Sequence, residues 1–137
     1  MKKLLLSIII VLVLVPAEAQ EFIGLTGKSI RETMARDNPG LTPDNSVRNE
    51  VYRYLKYYSG DDNETWLIFL DDRDRCNGVR ITYGISGYDA RVKELNERYE
   101  SAGVNEWSYR SGWNVITVKL KRDEWFFTVT HVLLQHL

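Results

Sequence analysis

The run WLIFL at residues 66–70, followed by Asp71 and Asp72, decides how the rest of the chain is arranged. Five consecutive large apolar residues leave neither side of an extended segment for water. A strand of this kind is covered on both faces or flanked by other strands, and the run is too short for a buried helix. We therefore expect residues 66–70 to form the central strand of a sheet.

Two segments with alternating side chains surround this central run. Apolar positions alternate with polar or tyrosine positions in residues 50–58 and again in residues 79–83, and a period of two is typical of strands. Polar turns at residues 59–63 and 71–78 connect the three segments. Short polar connections between consecutive strands predict an antiparallel meander.

A short helix is expected before this meander. Ser29 and Glu32 match the capping box S-x-x-E, in which the hydroxyl accepts from a backbone amide one turn later and the carboxylate reaches back. The sequence NPG at residues 38–40 ends the helix. Residues 41–46 are then expected to be a loop.

The same order of elements follows a second time. The second helix is predicted from side chains at helical spacing, which are Tyr88, Val92, Leu95 and Tyr99. Ala102-Gly103 is expected to end it, because glycine is favoured just after a helix. Three more strands are predicted, at residues 106–110, 113–121 and 125–133.

The predicted architecture is an α+β two-layer sandwich. Its element order is αβββαβββ, which gives a six-stranded antiparallel sheet with two helices on one face. Residues 20–137 are expected to form one domain, since a chain of this length buries roughly two thirds of the surface that it exposes when unfolded.

The N-terminus has the order of a secretory signal peptide. Lys2 and Lys3 precede an apolar run at residues 4–15, and a small-residue site, Ala17-Glu18-Ala19, follows it. The run is well below the ~20 residues of a membrane span. We therefore predict a signal peptide at residues 1–19 and an exported protein, periplasmic or secreted, that has no membrane anchor after cleavage.

Composition narrows the classes of partner. The chain has 18 basic and 19 acidic residues and a formal net charge of -1. Nucleic-acid binding favours a basic excess, so no nucleic-acid partner is predicted. Cys76 is the single cysteine, so no intramolecular disulfide can form and the fold depends on its apolar core.

The two sides of the predicted sheet differ in composition. The helices are expected to pack on the aliphatic side, formed by Val51, Leu55, Val79, Ile81, Ile116, Val118, Leu120, Phe127 and Val129. The opposite side mixes large rings with Lys, Arg and Thr, a composition favoured at binding hot spots. It supplies the predicted binding residues Tyr52, Tyr54, Lys56, Tyr58, Arg80, Trp113, Lys119 and Phe126. The same residue types also form good strands without any partner, so an ordinary exposed face stays open as the alternative.

The catalytic and metal-binding motifs are incomplete. Gly27-Lys28-Ser29 lacks the glycine that a phosphate-binding P-loop needs five residues earlier, where Phe22 stands. The acidic segment at residues 71–78 has no register that matches a calcium loop, and it is expected to be a turn. Cys76 with His131 or His136 has no accompanying signature of a nucleophile and base. No catalytic residue, metal or cofactor is predicted.

The order of helix, three strands, helix and three strands in a short exported chain resembles the β-lactamase-inhibitory-protein type of module and, more loosely, the SmpA/OmlA envelope lipoproteins. The chain differs from the second group because it lacks the lipid-bearing cysteine. Gly-Lys-Ser before a short helix and a central strand that begins with Trp66 are also similar to small exported proteins of Gram-negative bacteria. This resemblance implies a non-catalytic fold that binds through its open sheet face.

Three functions therefore remain in order of preference. The first is a non-enzymatic exported module that binds another protein through the aromatic sheet face. The second is a glycan or small-ligand binder that uses the same rings for stacking. The third is a hydrolase, which would require titratable groups clustered in a cleft.

Overall fold

The structure is a computed structural model, and it describes residues 22–45, 53–61 and 63–134. The predicted signal peptide and two of the predicted sheet residues, Val51 and Tyr52, lie outside these ranges. No helix in the described ranges is long and apolar enough to cross a membrane.

The described chain forms one antiparallel sheet of eight strands with two helices. The helices are α1 (Gly27–Asp37) and α2 (Tyr88–Arg98), and the 3-10 turn Ile85–Gly87 leads into the second. The strands are β1 (Leu41–Pro43), β2 (Tyr54–Ser59), β3 (Glu64–Leu70), β4 (Cys76–Gly84), β5 (Glu100–Gly103), β6 (Glu106–Ser111), β7 (Asn114–Arg122) and β8 (Phe126–Leu133). Their spatial order is β1-β2-β3-β4-β8-β7-β6-β5.

The α+β class and the antiparallel sheet are confirmed, but the predicted number of strands is wrong. The described sheet has eight strands rather than six, and the element order is helix, four strands, helix, four strands. The two additional strands, β1 and β5, are the edges of the sheet. β1 lies in the segment predicted as loop, and β5 contains the Ala102-Gly103 pair predicted to end a helix.

The edge strands escape detection because neither has an alternating apolar pattern. β1 is three residues long and contains Pro43, and a proline lacks the N–H that a central strand needs. All four residues of β5 are exposed. Because neither side of this strand is buried, its sequence has no alternation of apolar and polar residues. Short or polar strands are a common means of protecting the edge of a sheet from pairing with another chain.

The N-cap of α1 lies three residues before the predicted one, Ser29. Thr26 is the N-cap, and its hydroxyl accepts a hydrogen bond from the Ser29 amide at 3.3 Å. Gly27 in the first turn lies against Asp74. A larger residue would be crowded there, because an added Cβ would be 3.2 and 3.3 Å from the Asp74 carboxylate oxygens. The predicted end of the helix is correct, with Asn38 as the C-cap.

The end of α2 is also earlier than predicted. The helix stops at Arg98, and Tyr99 adopts an extended conformation. The Tyr99 ring stacks on Tyr109 of β6 with a centroid distance of 4.6 Å. A continued helix would carry Tyr99 away from this sheet position, so packing against the sheet overrides the glycine signal at Gly103.

Both helices pack on the same face of the sheet, as predicted. Ile30 and Met34 of α1 lie in one core cluster with Ile68 and Ile81, while Leu95 of α2 lies in a second cluster with Leu120 and Val129. Ile81 and Val129 are paired across β4 and β8, so the two clusters share one side of the sheet. This side is called the helix face below.

The WLIFL run is the third strand of the sheet and is divided between its two faces. Trp66 and Ile68 are buried on the helix face. Leu67 and Phe69 lie on the opposite side and are half-buried. The strand is flanked by β2 and β4, as expected, whereas a second covering layer is not found over Leu67 and Phe69 among the described residues.

The contrast between neighbouring residues of β3 predicts a contrast in stability. Ile68→Ala leaves a cavity under α1 and should lower the free energy of unfolding by about 3 kcal/mol. Leu67→Ala, one residue away, removes only half-covered surface and should cost about 1 kcal/mol. Denaturant titration of both variants measures this, and equal losses would contradict the placement of the helices on a single face.

Candidate functional site

The side of the sheet opposite the helices is the candidate site. It is called the open face, and by strand register it contains Tyr54, Lys56, Tyr58, Thr65, Leu67, Phe69, Arg80, Thr82, Glu100, Glu106, Ser108, Arg110, Val115, Thr117, Lys119, Lys121, Phe126, Thr128, Thr130 and Val132. Each of these residues is at least partly exposed.

Most of the predicted binding residues lie together on this face. They come from four strands, with Tyr54, Lys56 and Tyr58 on β2, Arg80 on β4, Lys119 on β7 and Phe126 on β8.

Two predicted binding residues are not placed on the open face. Trp113 was expected at the start of a strand, but β7 begins at Asn114 and Trp113 lies in the tight turn after β6. Its side chain is 97% exposed, because a turn residue at the end of a hairpin has no neighbouring strand to cover it. Tyr52 lies outside the described residues.

An aromatic zone occupies the β2–β3 part of the open face. The rings of Tyr54 and Phe69 meet edge to face with centroids 6.4 Å apart. The Arg80 guanidinium lies over the Phe69 ring at 5.7 Å, within the range of a cation–π contact. Leu67 extends the apolar surface along the same strand.

The sequence prediction missed four apolar residues of the open face, namely Leu67, Phe69, Val115 and Val132. The first two were assigned to a strand covered on both sides because the run around them is uninterrupted. A usable signal was present, since two short helices cannot cover both faces of a six-stranded sheet. Val132 is 45% exposed. Its position on the open face follows from the alternation of side chains in β8, since its neighbour His131 lies on the helix face.

A second zone of the open face is a cationic groove of about 680 Å³. Its floor and walls come from β4, β8 and β7 and from the turn between β5 and β6. The lining residues used below are Arg80, Lys119, Lys121, Phe126, Thr128 and Thr130, with Val104, Glu106 and Asp123 at the rim. Sequence reasoning identified three of these, Arg80, Lys119 and Phe126, and missed Lys121.

Strand register brings the groove cations together. Thr130 is paired with Arg80 on one side and Lys119 on the other, and Thr128 is paired with Lys121. Neighbouring strands are about 4.8 Å apart, so the backbones of Arg80 and Lys119 are separated by roughly 10 Å, with a threonine hydroxyl between them.

The groove cations are weakly neutralised. Lys119 is 3.8 Å from a Glu106 carboxylate oxygen, and both side chains are largely exposed, so the pair has little influence on stability. Arg80 and Lys121 form no ion pair within the described part of the chain. Outside the groove, Lys56 is 3.5 Å from Asp44.

Cys76 is poorly placed for nucleophilic chemistry. The thiol is 2% exposed and donates a hydrogen bond to the Gly78 carbonyl at 3.4 Å. Burial raises its pKa to about 11, and a thiol reacts through its thiolate. His131 is paired with Val79, three residues along β4 from Cys76, roughly 10 Å away at the rise of a strand. The described structure therefore does not bring this pair into hydrogen-bonding distance.

His131 is a buried residue of the helix face, which agrees with its predicted position near the end of a strand. Its Nδ1 and the Tyr109 hydroxyl share a hydrogen bond at 3.2 Å. Burial lowers the His131 pKa to about 4, and the positive charge of Arg91 acts in the same direction. The imidazole is therefore neutral at neutral pH.

Within residues 22–45, 53–61 and 63–134, no three side chains among His, Cys, Asp and Glu converge as metal ligands would. The acidic turn between β3 and β4 is instead closed by its own hydrogen bonds, since an Asp71 carboxylate oxygen accepts from the backbone amides of Arg73 and Arg75 at 2.8 and 2.9 Å.

Comparison with known proteins finds no match for this chain. No family model, curated protein or solved structure is similar enough to be counted. The resemblance to β-lactamase-inhibitory-protein modules therefore stays a prediction.

The buried histidine predicts an acid-sensitive fold. The His131 pKa is about 4 in the folded state and 6.5 in the unfolded chain, so between these values the unfolded state binds more protons and stability falls as the pH falls. The expected loss is about 2 kcal/mol between pH 7 and pH 5, with little change above pH 7.

Urea titrations at these pH values test the effect, with His136→Gln as the background so that the second histidine does not titrate. His131→Leu should remove most of the pH dependence in this window. An unchanged pH dependence in that variant would assign the effect to other groups.

Proposed function

We propose that the protein is a non-catalytic exported module that binds another protein through its open face. The observation that carries this proposal is the aromatic zone of the open face, in which Tyr54, Leu67 and Phe69 are partly exposed on a strand scaffold. A soluble sheet face without a partner is usually polar, and a contiguous apolar patch on it indicates an interaction site. Export follows from the predicted signal peptide.

The composition of the open face supports a protein partner. Tyrosine and arginine are enriched at protein interfaces because they combine a large contact area with directional polar groups. Arg80 already lies against Phe69, so less side-chain entropy is lost when a partner covers both residues. At about 25 cal/mol per Å² of apolar surface, complete burial of a half-covered ring contributes roughly 1–2 kcal/mol.

A glycan partner is the second candidate, and a row of hydroxyls favours it. Thr65, Thr82 and Thr128 are paired across three adjacent strands, and Thr65 is also paired with Tyr58 on β2. Hydroxyl groups beside an aromatic ring match the polar edge and apolar face of a sugar. A sugar that binds here would raise the melting temperature, and the rise would continue with the logarithm of the sugar concentration above the Kd.

Removal of the rings should abolish binding without unfolding the protein. We expect Tyr54→Thr and Phe69→Thr each to weaken partner binding by about tenfold or more, because threonine keeps the strand propensity while removing the ring. The measurement is capture of partners from the extracytoplasmic fraction of producing cells by the immobilised protein, with melting temperatures recorded in parallel.

The matched controls are Lys93→Ala and Glu97→Ala on the exposed side of α2, which should capture the same partners as the unsubstituted protein. Trp113→Ala tests whether the site extends to the β6–β7 turn. Capture that is indifferent to Tyr54→Thr and Phe69→Thr, or a large fall in melting temperature in both, would overturn the proposal. A melting temperature raised by a sugar, and not raised in Tyr58→Thr, would instead favour the glycan candidate.

A further inference from the structure

The cationic groove has the chemistry of a site for carboxylates, and we propose that the partner inserts an acidic segment into it. The segment would be extended, with Asp or Glu side chains directed to Arg80, Lys119 and Lys121 and an apolar side chain at one end. This inference rests on the proposed function, since it names the chemistry of the partner at the same open face.

Charge is segregated in this protein. The whole chain has a net charge of -1, yet the open face has an excess of cations. The charged residues of its strands are the five cations Lys56, Arg80, Arg110, Lys119 and Lys121 and the two acids Glu100 and Glu106. Asp123 beside the groove adds a third acid. Such an asymmetry attracts a negatively charged partner to one side of the molecule and increases its association rate at low salt.

The groove offers more than net charge. The Arg80 guanidinium is a planar fork that can donate two hydrogen bonds to one carboxylate, whereas a lysine acts as a point charge. Thr130 lies between Arg80 and Lys119 in the strand register, and Thr128 is paired with Lys121. The hydroxyls of both threonines can donate to a second oxygen. The backbones of Arg80 and Lys119 are roughly 10 Å apart, and both side chains are long enough to reach carboxylates two residues apart on an extended chain, which lie on the same side of it.

Apolar residues define one end of the groove. Phe126 is 43% exposed and Val104 is 92% exposed, and both line the same groove as the cations. A purely polyanionic ligand would leave these surfaces in water. An acidic segment that also has a leucine or phenylalanine uses both parts of the site.

An anionic membrane surface is the competing partner, and one observation disfavours it. Glu106 and Asp123 line the groove and would face the lipid headgroups with the same sign of charge. A protein segment can enter the groove and avoid both acids.

The test uses a short fluorescein-labelled peptide that has glutamate at alternate positions, serine between them and, on the same side of the extended chain as the glutamates, a phenylalanine at one end. The control peptide has glutamine at each glutamate. Fluorescence anisotropy with the full protein should show binding of the glutamate peptide that weakens at least tenfold between about 50 and about 300 mM NaCl. Arg80→Gln and Lys121→Gln should each weaken it about tenfold. Lys93→Gln on α2 should leave it unchanged.

Equal binding of the glutamine peptide, equal binding by Arg80→Gln and Lys121→Gln, or no binding of either peptide would overturn the inference. Cosedimentation with phosphatidylserine vesicles in the absence of peptide binding would also overturn it, in favour of a membrane. These failures are distinguishable from failure of the proposed function. Loss of partner capture in Tyr54→Thr, with full capture by Arg80→Gln and Lys121→Gln, would retain a protein partner and reject the acidic segment.

Discussion

The structure depends on one constraint, which is that two short helices and the segment at residues 22–25 are what packs against the described sheet of eight strands. Each helix has 11 residues and covers one half of the sheet, so together they cover a single face. On that face the strands bury Val, Ile, Leu and Phe side chains almost completely. The other face has to be stable in water, and its alternation of threonines, cations and rings satisfies that requirement.

The pairing of β4 with β8 joins the two halves. Each half is a helix followed by a four-stranded meander, and the strand order is symmetric about this central pair. Seven pairs of residues connect the two strands, from Gly78 with Val132 to Gly84 with Phe126. This continuous backbone pairing between β4 and β8 joins the two four-stranded meanders into one sheet. It also places β4, β8 and β7 next to one another, which is the arrangement that forms the cationic groove from residues far apart in the sequence.

The interior strands and the two faces were predictable from the sequence because burial imposes a period of two on them. Val79 and Ile81 on one side and Arg80 and Thr82 on the other show this pattern directly. The edges were not predictable, because β1 and β5 bury almost nothing and so leave no pattern. Helix ends were predicted where a local signal coincides with the packing, as at Asn38, and wrongly where tertiary contacts prevail, as with Thr26 before Gly27 and with Tyr99 stacked on Tyr109.

The candidate site was predictable residue by residue but not in its arrangement. The alternation of side chains along each strand identifies Arg80, Lys119 and Phe126 as members of one face. Their closeness in space depends on the pairing of β4 with β8 and of β7 with β8, and no local sequence pattern predicts that pairing. For Leu67 and Phe69 the position on a face is the part that was predicted wrongly. Their hydrophobicity suggests burial, but both helices pack on the other face and leave these two side chains partly exposed. The residues of the open face lie outside the core that Ile68, Val79 and Val129 form, so substitutions there can alter the proposed interaction while the fold is maintained. The proposed binding surface is therefore separable from stability, which makes the proposal testable with single substitutions.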